Sequence, residues 1–372
     1  MLIQGFATAE GTARYGDRFA PKMPGHFRSA LGLCLSSIGL GTYLGEPNAG
    51  CDALYRAAIT RAAELGANVV DSAINYRHQR SERAIGEALA AMIGDGRLKR
   101  DEIFVATKGG FLTFDGDEPA DPSSYFFEKL VQPGLIRPEE VAAGCHVMSP
   151  KYLENQIETS RKNLGLETID LYYVHNPETQ LSEVSHDEFL RRLGAAFGAL
   201  ERAVREGKIR CYGTATWNAY RVGRESREAM ALEDILRLAE SVGGKDHHFR
   251  AIQLPFNLAM PEALTARTQP MDGDRVPLLQ LTRARALAVF SSASLLQSQL
   301  TRGIPPAIQK GLPGLNKDSQ RALQFARSAP GITCALVGMS NIQHVEENLA
   351  TGSVAPLTMD QFRKLFSSGG RR

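Results

Sequence analysis

The chain is short of several features that would each fix a class of protein. It has only five cysteines in 372 residues: Cys34, Cys51, Cys145, Cys211 and Cys334. They are scattered, odd in number and contain no CxxC pair, which argues for reduced thiols and against a disulfide framework or a cysteine zinc site. No run of about 18 apolar residues occurs, and no apolar h-region opens the chain. The expectation is a cytoplasmic protein that does not engage a membrane. With 43 Lys+Arg against 41 Asp+Glu, the formal charge is +2, so no whole-chain field attracts nucleic acid. The histidines show no metal-ligand spacing, and no metal is expected. His146, His186, His247 and His248 are read as surface residues. Low-complexity tracts are also missing, as is a GxGxxG between the first strand and first helix, which counts against a Rossmann domain.

What is present is alternation. Short β-branched runs are followed repeatedly by helical stretches, the pattern of a parallel sheet. Strands are predicted at Ser37–Leu40, Asn68–Asp71, Ile103–Lys108, Ile169–Val174, Ile209–Gly213, Ala251–Leu254, Ala288–Ser291 and Cys334–Val337. Helices are predicted near Asp52–Leu65, Ser81–Met92 (with Ser81 as N-cap), Lys151–Leu164, Asp187–Glu206, Ser226–Val242, Leu278–Ala286, Lys317–Ser328 and Asn341–Leu349. Eight such units without a linker favour an α/β fold closed into a (β/α)8 TIM barrel. An ordinary composition, 43% hydrophobic and 23% charged, lets a chain of this length bury that core without staples. Residues 1–30 read as an N-terminal extension and 31–372 as one barrel domain. Residues 109–150 are a long insertion after the third strand, too aromatic for a plain solvated loop.

Barrel chemistry sits where the strands end. The second strand ends in Asp71, the third in Lys108 and the fourth in His175, and Tyr76 follows Asp71 in its loop. Reduction of a carbonyl by hydride needs a proton donor for the developing alkoxide. A free tyrosine with a pKa of about 10 is a poor acid. A nearby lysine lowers that pKa, an aspartate keeps the lysine charged, and a histidine orients the carbonyl.

These residues resemble the aldo-keto reductase superfamily. Asp71-Ser-Ala-Ile-Asn-Tyr76 with Ser81-Glu82 and Gly86 is similar to its aspartate and tyrosine signature. Val105-Ala-Thr-Lys108 resembles its lysine strand, and Asp170-Leu-Tyr-Tyr-Val-His175 its histidine strand. The resemblance continues through Ile38–Thr42, Gln253–Asn257, Val337-Gly338 and Glu347-Asn348, from about residue 27 to 350. It implies an NAD(P)-dependent oxidoreductase acting on a small-molecule aldehyde or ketone, or on the alcohol in reverse. Tyr76 would be the acid, tuned by Lys108 and Asp71, with His175 positioning the substrate. Thr42, Asp71 and Gln253 would lie against the nicotinamide half. Gly338, Ser340, His344, Glu347 and Asn348 would hold the adenosine end, near a helix N-terminus.

The departures from the family pattern are specific. Arg77 stands where a glycine commonly follows the tyrosine. Ala215-Thr216 replaces a Ser-Asn pair that holds the carboxamide, and Ser292 replaces a stacking tyrosine. Met339-Ser340 and His344 replace a Lys-Ser pair and an arginine on the 2′-phosphate. NADP(H) is still expected over NAD(H), with a weaker preference. Arg77 and Trp217 are candidate substrate contacts, although Arg77 within Arg77–Arg80 also reads as a solvated basic loop. The rival readings are a non-catalytic cofactor-binding regulatory or sensor subunit, and a barrel lyase or aldolase using Lys108 as a Schiff base. Oligomeric state is not legible.

Overall fold

A computed structural model describes residues 1–367. Strands β1 (Phe27–Ala30) and β2 (Leu33–Ser36) form an antiparallel hairpin. Its two-residue turn places Leu31 at φ 56° and Gly32 at φ 72°, the left-handed pair whose twist matches the flanking strands. The barrel strands are β3 (Ile38–Gly41), β4 (Val69–Asp71), β5 (Phe104–Gly109), β6 (Ile169–His175), β7 (Ile209–Ala215) and β8 (Phe249–Pro255). After a second small hairpin, β9 (Gln269–Met271) and β10 (Asp274–Val276), come β11 (Ala288–Ser292) and β12 (Cys334–Gly338). The eight barrel strands close in the order β11-β12-β3-β4-β5-β6-β7-β8, all neighbours parallel. This is the (β/α)8 barrel expected from the alternation.

Two cores build the barrel. Between strands and helices lies the larger one, fed by the apolar faces of Ala49–Glu64, Arg80–Gly94, Pro150–Leu164, His186–Arg205 and the later helices. Inside the barrel, Phe104 and Phe290 stack at 5.8 Å among Val69, Leu171, Tyr173 and Leu336. The first hairpin joins this inner core through Leu31, Leu33 and Leu35. Because β2 runs directly into β3, the hairpin plugs the N-terminal mouth and leaves the C-terminal mouth for chemistry. The expected boundary at residue 30 falls at the tip of this hairpin. Gly213 marks a tight spot, since a Cβ there would stand 1.9 Å from the Ala251 carbonyl oxygen, where β7 and β8 shift register.

Several expectations need correction. Ser81 is not an N-cap. The helix starts at Arg80, after Gln79 in the left-handed region, and the Ser81 hydroxyl donates to the Thr42 carbonyl at 2.8 Å. The helix expected from Ser226 begins at Leu232. The insertion packs on itself and on the next helix: Phe114 stacks on Phe126 at 4.9 Å, and Ile136 and Val147 form a small core with Tyr152 of Pro150–Leu164. No helix among the described residues is long and apolar enough to cross a membrane.

If the hairpin is a plug, Leu35→Ala opens a cavity beneath the barrel and lowers unfolding free energy by about 3 kcal/mol in urea denaturation. A loss under about 1 kcal/mol would mean the hairpin is peripheral.

Candidate active site

The ends of β4 and β5 bring an ion pair together inside the mouth. Lys108 Nζ donates to Asp71 Oδ1 at 2.6 Å and to the Ser72 carbonyl at 2.6 Å. The lysine side chain is 0% exposed, so its charge depends on these partners. The other carboxylate oxygen of Asp71 accepts from Gln253 Nε2 at 2.7 Å, which ties in β8 from across the barrel. Tyr76, half-buried in the loop after β4, places its hydroxyl 3.4 Å from Lys108 Nζ. Burial alone would lower the Lys108 pKa, but Asp71 and Tyr76 more than offset it and hold the group as an ammonium. A lysine held charged is a poor Schiff-base nucleophile.

The tyrosine differs from expectation. Burial pushes its pKa up, and Lys108 pulls against that without reversing it. The phenol therefore rests protonated, and the ammonium is placed to stabilise the phenolate once the proton leaves. His175, at the end of β6, meets Tyr76 edge to face at 5.8 Å. Burial first, then Lys108, holds its pKa well below the ordinary value, so the imidazole is neutral.

Around this tetrad lie the residues expected to face a nicotinamide. Thr42 is buried beside it, its hydroxyl 3.0 Å from that of Ser72. The Thr216 amide donates to the Gln253 carbonyl at 2.8 Å. Ser292 ends β11, half-buried. Beside β3, the exposed Gly338 ends β12, and the helix Ile342–Leu349 follows with Asn341 as its cap. Ser340 is half-buried and His344 exposed at this N-terminus, a donor set that fits a phosphate. Glu347 is held by Lys317 and Ser319, and Asn348 is buried.

Arg77 is committed to partners inside the protein. Its side chain is 1% exposed, bonded to Asp52 at 2.6 Å and to Ser81 at 3.1 Å, and it lies 4.7 Å over the Tyr55 ring. Nor is it solvated, as the basic-loop reading expected. Trp217 is 44% exposed after β7, and its amide donates to Glu178 Oε1 at 2.6 Å. Sequence reasoning missed Tyr43, whose ring meets Tyr76 at 4.9 Å, while Phe111, read only as one of the insertion's aromatics, brings its ring to 4.9 Å from that of His175. Tyr43 follows a strand end, so the rule that found Asp71 would have found it. His146, read as a surface residue, is fully buried against β6.

Asp71, Lys108, Tyr76 and His175 thus meet at the C-terminal mouth of a closed (β/α)8 barrel, which defines the class by its fold. The chain matches the Aldo/keto reductase family over residues 37–230, just over half its length, and belongs to that family. It is 30% identical over 171 residues to the aldo-keto reductase yakc [NADP(+)] of Schizosaccharomyces pombe, covering 45% of this chain and 38% of that protein. A voltage-gated potassium channel subunit beta from the same organism is 27% identical over 206 residues, covering 55% of this chain and 48% of the relative. The chain thus spans less than half the length of these two relatives. An aldo/keto reductase of Klebsiella pneumoniae in complex with NADP and acetate superposes with a TM-score of 0.61 at 20% identity, over 92% of this chain and 94% of that one. That likeness speaks to the fold.

Glu178 offers a test of the mouth's electrostatics. Burial raises its pKa from 4.5 to about 7, against amide bonds from Trp217 and Asn218 that pull it down. The folded state thus holds this proton more tightly than the unfolded chain, and the share of the stability that Glu178 contributes falls as pH rises from about 4.5 to about 7. The melting-temperature advantage of Glu178→Gln over wild type is therefore larger at about pH 8 than at about pH 5. An advantage that does not change with pH would show that Glu178 is charged throughout.

Proposed function

We propose that this protein is an NAD(P)H-dependent oxidoreductase that reduces an aldehyde or ketone to an alcohol, or runs the reverse reaction, with Tyr76 as the general acid. The observation that carries the reading is the Tyr76 hydroxyl lying 3.4 Å from a buried lysine ammonium that Asp71 holds at 2.6 Å. The bound cofactor would supply the hydride. Tyr76 gives its proton to the oxygen that gains charge, and Lys108 stabilises the phenolate left behind. Asp71 keeps Lys108 charged and, through Gln253, fixes it to the opposite wall. His175 is neutral and donates to the substrate oxygen, which sets its approach.

The residues present fit such a cofactor. Thr42, Asp71, Thr216 and Gln253 would line its reactive end, with Ser292 beside them. Gly338, Ser340, His344, Glu347 and Asn348 would hold the adenosine end. Ser340 and His344 can bond a 2′-phosphate, so NADP(H) is preferred over NAD(H), by a modest margin because neither carries a fixed positive charge. The substrate is a small molecule carrying a carbonyl or an alcohol.

A second reading, a cofactor-binding subunit without turnover, is favoured by the similarity to the channel subunit. Turnover separates the two. Wild type binds NADPH by fluorescence titration, more tightly than NADH, and oxidises it with methylglyoxal or p-nitrobenzaldehyde as probe carbonyls. Tyr76→Phe keeps NADPH affinity within about twofold and loses roughly 100-fold or more in kcat. Binding with no turnover of either probe would favour the subunit. A Tyr76→Phe variant as fast as wild type would remove the tyrosine from the chemistry.

A further inference from the structure

His146 belongs to the insertion, yet it packs against the strand end that carries His175. Its Nε2 lies 2.7 Å from the His175 carbonyl oxygen, and its Nδ1 lies 3.0 Å from Gln180 Nε2. A carbonyl can only accept and an amide nitrogen can only donate, so the two contacts fix the tautomer. Nε2 carries the proton and Nδ1 is bare. Burial lowers the pKa of this ring to about 4, so it stays neutral. Gln180 also donates to the His146 carbonyl at 2.9 Å, which closes the unit. Phe111 stands between the two imidazoles, edge-on to His146 at 5.1 Å and to His175 at 4.9 Å. Gly110 leaves the room for this: a Cβ there would stand 2.8 Å from His146 Nε2 and 3.2 Å from the His175 carbonyl oxygen.

The arrangement matters because of what the His175 ring lacks. Its Nδ1 is buried and has no partner among the described residues. Functional imidazoles are commonly oriented by a hydrogen bond to the second ring nitrogen. An N–H left unpaired in the interior is the rarer arrangement, so Nδ1 is the bare nitrogen and Nε2 carries the proton. With no bond at Nδ1, the direction of that N–H is set through the backbone and the flanking rings. We propose that His146 is a positioning residue: its bond to the His175 carbonyl, with Phe111 wedged between the imidazoles, holds His175 Nε2–H at the angle that meets the substrate carbonyl. The insertion thereby acts as a rigid buttress to β6. This rests on the role given to His175 above.

The test uses the full chain with NADPH, and with methylglyoxal and p-nitrobenzaldehyde as probes. In His146→Leu, kcat falls about 10- to 100-fold while KM and the NADPH dissociation constant stay within about twofold. His146→Gln, whose amide still donates to the His175 carbonyl, recovers most of that loss. Gln180→Met releases the tautomer lock and falls between the two; it carries the test if His146→Leu does not fold, and an unchanged kcat in it then overturns the proposal. An active wild type with an unimpaired His146→Leu overturns this proposal alone. So does a loss in which kcat and NADPH affinity fall together in all three variants, which would mean general collapse. A wild type that binds NADPH but reduces neither probe overturns the functional reading, and this proposal with it.

Discussion

Everything at the mouth depends on a lysine with no water to solvate it. Removing an ammonium and a carboxylate from solvent costs several kcal/mol for each ion, and only close geometry and full hydrogen bonding offset that. Asp71 spends one oxygen on Lys108 and the other on Gln253, so the pair is bound into three strands. The Ser72 carbonyl takes a further lysine hydrogen. The phenol of Tyr76 is the remaining neighbour, at a looser 3.4 Å. A charge so fully committed elsewhere cannot swing away, and the tyrosine meets it at a fixed place. The hairpin plug matters for the same reason, because its leucines pack on the inner core and close the opposite mouth.

The loop that carries Tyr76 is held under strain. Arg77, His78 and Gln79 all lie in the left-handed region, at φ 47°, 55° and 72°. Each costs about 1–2 kcal/mol in a residue with a Cβ. The contacts that offset this come from outside the loop. Asp52 pairs with both Arg77 and Arg80. Gly116 donates to the His78 carbonyl at 2.8 Å, and Gln79 donates to the Phe114 carbonyl at 2.9 Å. Two of these partners belong to the insertion. One part of that segment thus clamps the loop behind Tyr76, while its root braces the strand that ends in His175.

Much of this was legible from the residues, for physical reasons. Strand ends are readable because an apolar run followed by a polar side chain marks the point where the chain leaves the core, and Asp71, Lys108 and His175 all obey that. The barrel was legible because alternation of strands and helices leaves few closed solutions. What escaped is what depends on long-range partners. Arg77 read as a basic loop residue because Asp52, its counter-charge, sits on the preceding helix. Ser81 looked like a cap because nothing local reveals that Gln79 turns left-handed or that the Thr42 carbonyl awaits the hydroxyl. His146 had no readable signal, since its partner lies on another strand end. The tyrosine's pKa went the other way for a related reason: the lysine was visible in the sequence, and the burial that outweighs it was not.

The most direct test of the buried pair is a double-mutant cycle on stability, with Asp71→Asn, Lys108→Met and the two combined, measured by urea denaturation. Each single change leaves a charge buried without its partner and should cost about 3–5 kcal/mol. The double variant should cost clearly less than their sum, with a coupling of about 2 kcal/mol or more. Costs that simply add would show that the two charges are solvated separately, and the account of the site would fail at its centre.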